Sequence, residues 1–172
     1  AGNLVKAVGR TLKKVFFSDN GSTALEVALK MSYEYNRRIG RARSPKFLSL
    51  ARSYHGDTVG AASLGQIDLF RESCEGLLFK TDKAISPHCY RCSFNKAKPD
   101  RQDARVGRKC KWECIRKLEV KLSSRKYGAL VLEPLIQGAA GMIMHPSGWL
   151  KRATNAAKDS GAQVIADEVM TG

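Results

Sequence analysis

Short apolar runs alternate along this chain with longer stretches in which apolar residues recur at helical spacing. Residues 46–51 (Phe47, Leu48, Leu50), 128–133 (Ala129 to Leu132) and 162–166 read as buried strands. Two shorter apolar runs, 15–17 (Val15, Phe16, Phe17) and 77–79 (Leu77, Leu78, Phe79), also read as strands. Helical spacing covers 1–14 (Leu4, Val5, Val8, Leu12) and 24–38 (Leu25, Ala28, Leu29, Ser32). It returns over 109–124 (Ile115, Leu118, Leu122) and 147–160. Residues 41–45 form a basic loop, and 84–107 are polar, basic and without a clear period. Strands that alternate with helices predict an α/β fold of three layers, αβα, with a mostly parallel sheet covered on both faces.

Composition changes this picture in two places. At 172 residues the chain suits one domain with a real core, and no apolar run reaches the length of a membrane span. The net charge of +14 is unusual, and 13 of the basic residues, against four acidic ones, fall between Arg91 and Lys126. Nucleic-acid binding is one reading of that run. A solvated basic surface is the expectation, because only Tyr90, Phe94 and Trp112 interleave it and no stacking platform emerges. Five cysteines, an odd number without a secretory signal, suit a reducing, cytoplasmic setting.

The candidate chemistry gathers at predicted strand ends. Asn20, Ser22 and Thr23 cap the helix that follows residues 15–17, and Gly21 admits a close backbone approach; such a helix start holds either an ordinary cap or a phosphate. Tyr54, His55 and Gly56 lie just past the strand 46–51, where an aromatic ring either packs beside a turn or stacks on a flat ligand. Glu133, Pro134 and Gln137 close the strand 128–133, and Asp167 and Glu168 follow the last strand. A carboxylate there caps a helix, binds magnesium, or pairs with a protonated ring nitrogen. All these clusters fall on one predicted sheet edge. Cys89 and Cys92, with Cys110 and Cys114, have a spacing that four thiolates of a zinc site could use. The second pair departs from ribbon spacing, so buried free thiols and no metal are expected.

These motifs carry a resemblance. Phe17-Ser18-Asp19-Asn20-Gly21-Ser22-Thr23-Ala24, Ser53-Tyr54-His55-Gly56-Asp57-Thr58, Glu133-Pro134-Leu135-Ile136-Gln137-Gly138 and Ile165-Ala166-Asp167-Glu168-Val169 resemble the class III pyridoxal-phosphate aminotransferases. The Asp-Asn-Gly-Ser-Thr phosphate cup, Gly65-x-Ile67-Asp68-Leu69-Phe70 and Cys89-Tyr90-Arg91-Cys92 are most similar to one branch. That branch aminates 8-amino-7-oxononanoate with adenosylmethionine in biotin synthesis. The resemblance implies pyridoxal 5'-phosphate as cofactor. Gly21, Ser22 and Thr23 would hold its phosphate, Tyr54 would stack on its ring beside His55, and Asp167 would pair with its nitrogen. Val169 would cover the opposite ring face, with Glu133 and Gln137 nearby.

The same resemblance implies fold type I, a homodimer, small-molecule substrates, and neither nucleic acid nor membrane as partner. In this family the Schiff-base lysine follows the Asp-Glu-Val motif, and no lysine follows Asp167 here. No catalytic residue is therefore assigned. The chain is expected to be a truncated large domain, lacking the N-terminal segment, the lysine region and the small domain, and inactive alone. Between Cys92 and Cys110 it is longer and more basic than the family pattern. The alternatives are another class III aminotransferase of ω-amino acids or diamines, or a non-catalytic basic binding protein on the same fold.

Overall fold

A computed structural model describes residues 1–8, 12–94 and 110–172. In chain order its elements are α1 (Gly2–Ala7), α2 (Gly21–Arg38), β1 (Lys46–Leu50), α3 (Val59–Leu64), β2 (Asp82–Ala84), α4 (Glu113–Leu122), β3 (Tyr127–Leu132), β4 (Ile136–Gln137), β5 (Ile143–Met144), α5 (Trp149–Asp159) and β6 (Gln163–Ala166). Short 3-10 turns cover Asp68–Phe70, Glu72–Leu77 and Cys89–Arg91. Four strands form one sheet in the order β2-β1-β3-β6, all parallel, while β4 and β5 make a small antiparallel hairpin. The α/β expectation holds.

Side-chain alternation explains why the sheet carries helices on both faces. Leu48, Leu50, Leu130 and Leu132 point to one side and pack with Ile115, Leu118 and Leu122 of α4 and with Trp149 and Ala153 of α5. Phe47, Ala129 and Val131 point to the other and meet Leu25 and Leu29 of α2 and Ala61 and Leu64 of α3. Every residue of β3 is buried. Each fully buried leucine contributes about 1.5–3 kcal/mol through the apolar area it removes from water. At the opposite end from the motif edge, Asn36 crosses the layers, its Nδ2 donating to Ser32 O at 2.8 Å and Gln163 Oε1 at 3.2 Å.

The edge strand β2 is polar, and its Asp82 accepts from Tyr127 Oη at 2.6 Å and pairs with Lys126 Nζ at 2.8 Å. Lys126, and then Tyr127, hold the Asp82 carboxyl below its ordinary range.

Several sequence expectations are corrected. Residues 12–18 form neither helix nor strand, and Phe16 and Phe17 are 63% and 68% exposed. An apolar run without a neighbouring strand cannot make a ladder. The first helix is confined to Gly2–Ala7, buries nothing, and does not continue over residues 12–14; residues 9–11 lie outside the described residues. Leu77 ends a 3-10 turn and is 72% exposed, whereas the strand in this region is Asp82–Ala84, whose backbone pairs with β1. The helix expected from residue 109 begins at Glu113, and residues 95–109, which hold much of the basic run, lie outside the described residues. The apolar pattern does not announce the helix α3, the strand β2 or the hairpin. Among the described residues no helix is long and apolar enough to cross a membrane.

Two measurements test this packing. Replacing Leu130, which is inaccessible to solvent between β1 and β6, with alanine is expected to destabilise the chain by about 2–5 kcal/mol in urea unfolding. A loss below about 1 kcal/mol would show that the site is not close-packed.

The second concerns His145. Its ring lies edge-on to Trp149 at 4.9 Å, neither ring nitrogen has a partner among the described residues, and burial pushes its pKa down to about 4. The unfolded chain binds a proton near the usual value of 6.5 and the folded chain resists it. The contribution is therefore fully present above pH 6.5 and is lost as pH falls towards 4. Its size is at most about 3 kcal/mol. His145→Leu should flatten the pH dependence of stability across that window; an unchanged slope would contradict this account.

Candidate functional site

The site begins at the start of α2. Asn20 has extended backbone, and its Oδ1 accepts from Thr23 N–H at 3.0 Å while Asn20 N–H donates to Thr23 Oγ1 at 3.2 Å. Ser18 Oγ also donates to Thr23 Oγ1, at 2.5 Å. The Thr23 hydroxyl is thus occupied in a capping box, and it does not line the cleft described below. Ala24 N–H bonds Asn20 O at 3.0 Å, so the cap accounts for two of the first amides. Those of Gly21 and Ser22 have no partner among the described residues. An eighteen-residue helix thus presents two open N–H groups and the positive end of its dipole.

After β1 the chain turns through Arg52, held at φ 63, and Gly56, at φ +112. Gly56 passes directly over the α2 start: a Cβ built there would lie 1.9 Å from Ser22 Oγ. Between these turns, Tyr54 packs its ring on Phe70 at 5.0 Å and donates its hydroxyl to Asp57 Oδ2 at 2.9 Å. Burial, and then the Asp57 bond, raise the Tyr54 phenol above its ordinary pKa.

His55 has no exposed side-chain surface and places Nδ1 2.8 Å from Asp167 Oδ2. Because the carboxylate accepts, Nδ1 carries the proton. Nε2 is buried without a partner among the described residues. The other Asp167 oxygen accepts from Val169 N–H at 3.2 Å, and Asp167 N–H extends the sheet by bonding Leu132 O at 2.9 Å.

Glu133 ties the third motif to the second. Oε1 accepts from Tyr54 N–H at 3.2 Å and Oε2 from Gly138 N–H at 2.9 Å. Burial raises its pKa, and those two backbone bonds partly offset the rise. Gln137, fully buried, donates to Ala51 O at 3.0 Å and accepts from Ser86 Oγ. Together these groups latch the β4–β5 hairpin onto the loop that carries Tyr54 and His55.

One cleft of about 290 Å³ results, lined by Gly21, Ser22, Tyr54, His55, Glu133, Asp167 and Val169 of the expected residues. Asn20, Gly56, Gly138, Ala139 and Met170 line it too. Asn20, Gly56 and Gly138 stand within the quoted motifs, but nothing local marks Ala139 or Met170. Gln137 is not in the lining and acts from beneath. A wider cavity of about 690 Å³, between α2 and the start of β1 near Lys30, Tyr33, Phe47 and Phe79, gathers none of the strand-end motifs.

Away from the cleft, Cys89, Cys92, Cys110 and Cys114 line a separate cavity of about 240 Å³. None is in a disulfide. Cys110 is exposed and the other three are half-buried, which corrects the expectation of buried thiols. Burial pushes the Cys114 thiol up to about 11. Among the described residues no three His, Cys, Asp or Glu side chains are already grouped around a metal position.

The close approach of Gly56 to Ser22 yields a test. Gly56→Ala combines a left-handed backbone with a clash and should destabilise by about 1–3 kcal/mol. Gly76→Ala, with open space around its Cβ, should stay within about 0.5 kcal/mol of the parent. Equal effects in urea titrations would refute the close contact between the Gly56 turn and the start of α2.

Aminotransferase class-III describes the family that matches residues 1–172. An adenosylmethionine-8-amino-7-oxononanoate aminotransferase of Geobacter sulfurreducens is 43% identical over 163 residues, covering 94% of this chain and 34% of that protein. Its counterpart in Methanocaldococcus jannaschii is 38% identical, covering 100% and 37%. A crystal structure of the Methanocaldococcus jannaschii protein superposes with TM-score 0.82 at 33% identity, over 99% of this chain and 34% of that one. An amine transaminase from an uncultivated Pseudomonas species, in its PLP-bound form, gives 0.84 at 32% identity, over 100% and 38%. The chain spans about a third of the length of the curated relatives it matches. On a match that runs from its first residue to its last, the chain belongs to the class-III aminotransferases.

Proposed function

We propose that these 172 residues are part of the cofactor-binding large domain of a pyridoxal-phosphate-dependent aminotransferase. The whole protein would transfer an amino group from adenosylmethionine to 8-amino-7-oxononanoate, as the names of the relatives at 43% and 38% identity say of them. The amine transaminase structure, at 32%, supports the class rather than that substrate pair. One observation carries the reading. Four motifs, distant in sequence, converge on one cleft whose lining combines the start of α2, with its open amides, and the Asp167 carboxyl.

The residues fit pyridoxal phosphate. Gly21 and Ser22 amides would meet the phosphate, and the absence of a side chain at Gly56 keeps that end open. Asp167 would face a protonated ring nitrogen, with Tyr54 and Val169 on the two sides of the ring. When bound, the cofactor supplies the electron sink for the bonds broken at the substrate's amine-bearing carbon.

The protein's own groups have distinct parts. Asp167 presents its carboxyl group to the cleft, and His55 Nδ1–H fixes one of its oxygens in place. Val169 N–H fixes the other. Glu133 spends both oxygens on backbone N–H groups and so sets the loop that presents Tyr54. Thr23 maintains the helix start through the cap rather than by touching the ligand. The catalytic lysine and the small domain would belong to sequence beyond these residues. The whole protein would act as a homodimer, a reading that suits the exposed Phe16 and Phe17 just before α2 and the exposed Met170 of the cleft lining.

Titration with pyridoxal phosphate, followed by absorbance and fluorescence, tests the site. Saturable binding that inorganic phosphate displaces is expected. Asp167→Asn should weaken it about 10–100-fold, the loss of one charge-assisted bond. For the whole gene product, conversion of 8-amino-7-oxononanoate to the diamine with adenosylmethionine as donor tests the activity. Binding that ignores both phosphate and Asp167→Asn would overturn the assignment.

A further inference from the structure

We propose that Cys89, Cys92, Cys110 and Cys114 form a tetrathiolate site for one soft divalent cation, with zinc as the ion. Two cysteine pairs, separated along the chain, meet at one cavity that the cofactor cleft does not share. Chance burial of isolated thiols does not require this convergence. The first pair sits on the 3-10 turn Cys89–Arg91, closed by Cys92 N–H donating to Cys89 O at 3.2 Å. A Cys-x2-Cys turn of this kind sets two sulfurs on one side, as a tetrahedral ion requires. The second pair straddles the start of α4: Cys114 lies in its first turn, and Cys110 Sγ accepts from Trp112 N–H at 3.4 Å. Backbone N–H groups that donate to sulfur favour the thiolate over the thiol.

The surroundings suit the charge. Four thiolates around a dication carry a net charge of about −2, and the cavity lining holds the two cations Arg52 and Arg91 against the single carboxylate Glu113. Soft sulfur ligands without a carboxylate among them select zinc over magnesium or calcium. As placed, the thiols do not yet surround a point. All four lie on a turn, a loop or a helix's first turn, so the ion would draw them together and each thiol would release its proton. The ion would be structural. It would tie the start of α4 to the segment after β2, whose Ser86 donates to Gln137 beneath the hairpin of the cofactor cleft.

Purification of the chain under reducing, chelator-free conditions, followed by zinc analysis, provides the test. One zinc per chain is expected. Exchange with cobalt(II) should give thiolate charge-transfer absorption and the visible bands of a tetrahedral site. Cys92→Ser and Cys110→Ser should each weaken zinc binding by more than the roughly 10–100-fold that loss of an outer-shell partner costs. Cys74→Ser, outside the cavity, should leave it unchanged. Bound zinc should protect all cysteines except Cys74 from iodoacetamide. The cobalt spectrum of the unsubstituted chain decides the matter even where a serine variant fails to fold. No retained metal with a featureless cobalt spectrum, a disulfide between these cysteines, or equal loss in Cys74→Ser would overturn the proposal.

Discussion

The position of β3 between β1 and β6 sets the geometry of everything at the motif edge. Its residues are buried on both faces, and its register pairs Leu130 with Leu48 on one side and with Val164 on the other. A slip of one residue would turn Leu130 and Leu132 towards α2 and Val131 towards α5, exchanging two unlike cores. The cost of that exchange locks the strand ends. β6 then releases Asp167 beside Leu132, to which its amide is bonded at 2.9 Å. The loop after β1 delivers His55 within 2.8 Å of the Asp167 carboxylate. Packing several residues below the cleft therefore fixes the distance between two groups inside it.

The sequence is most legible where burial, rather than local preference, decides structure. Helix α2 and strands β1, β3 and β6 carry apolar patterns that match their packed faces, and those patterns place each element to within a few residues. Phe16 and Leu77 show where the same reasoning fails. An apolar run states that a segment can be buried, but a strand also needs a partner in register, and neither segment has one among the described residues. β2 escapes the pattern for the complementary reason. As an edge strand it is polar, and its pairing to Leu48 and Leu50 comes from backbone groups that composition does not reveal.

The cleft is legible to a similar depth. Strand-end placement brings Ser22, Tyr54, Glu133 and Asp167 together as expected. The sequence does not reveal how those groups divide their hydrogen bonds. Thr23 reads with Gly21 and Ser22 as one phosphate cup, yet its hydroxyl serves Asn20 and Ser18. His55 is no more than an ordinary buried histidine until its partner, 112 residues away, comes into contact. Such pairings are properties of the folded chain, because neither residue carries a local signal of the other.

Two carboxylates in one small cleft raise the question of which can meet a ligand. Glu133 is almost fully buried, both its oxygens hold backbone N–H groups, and burial favours its protonated form. Redirecting it towards a ligand would leave the Tyr54 and Gly138 amides without these partners. Each buried donor left without a partner costs about 1–3 kcal/mol. Asp167 retains some exposure, at 13% of its side chain, and its two contacts leave lone pairs open towards the cleft side. A donor entering the cleft would meet those lone pairs without breaking the latch. The fold thus separates the two acids by their partners: Glu133 holds the walls together through two backbone N–H groups, and Asp167, held by His55 and Val169, keeps the more exposed carboxyl.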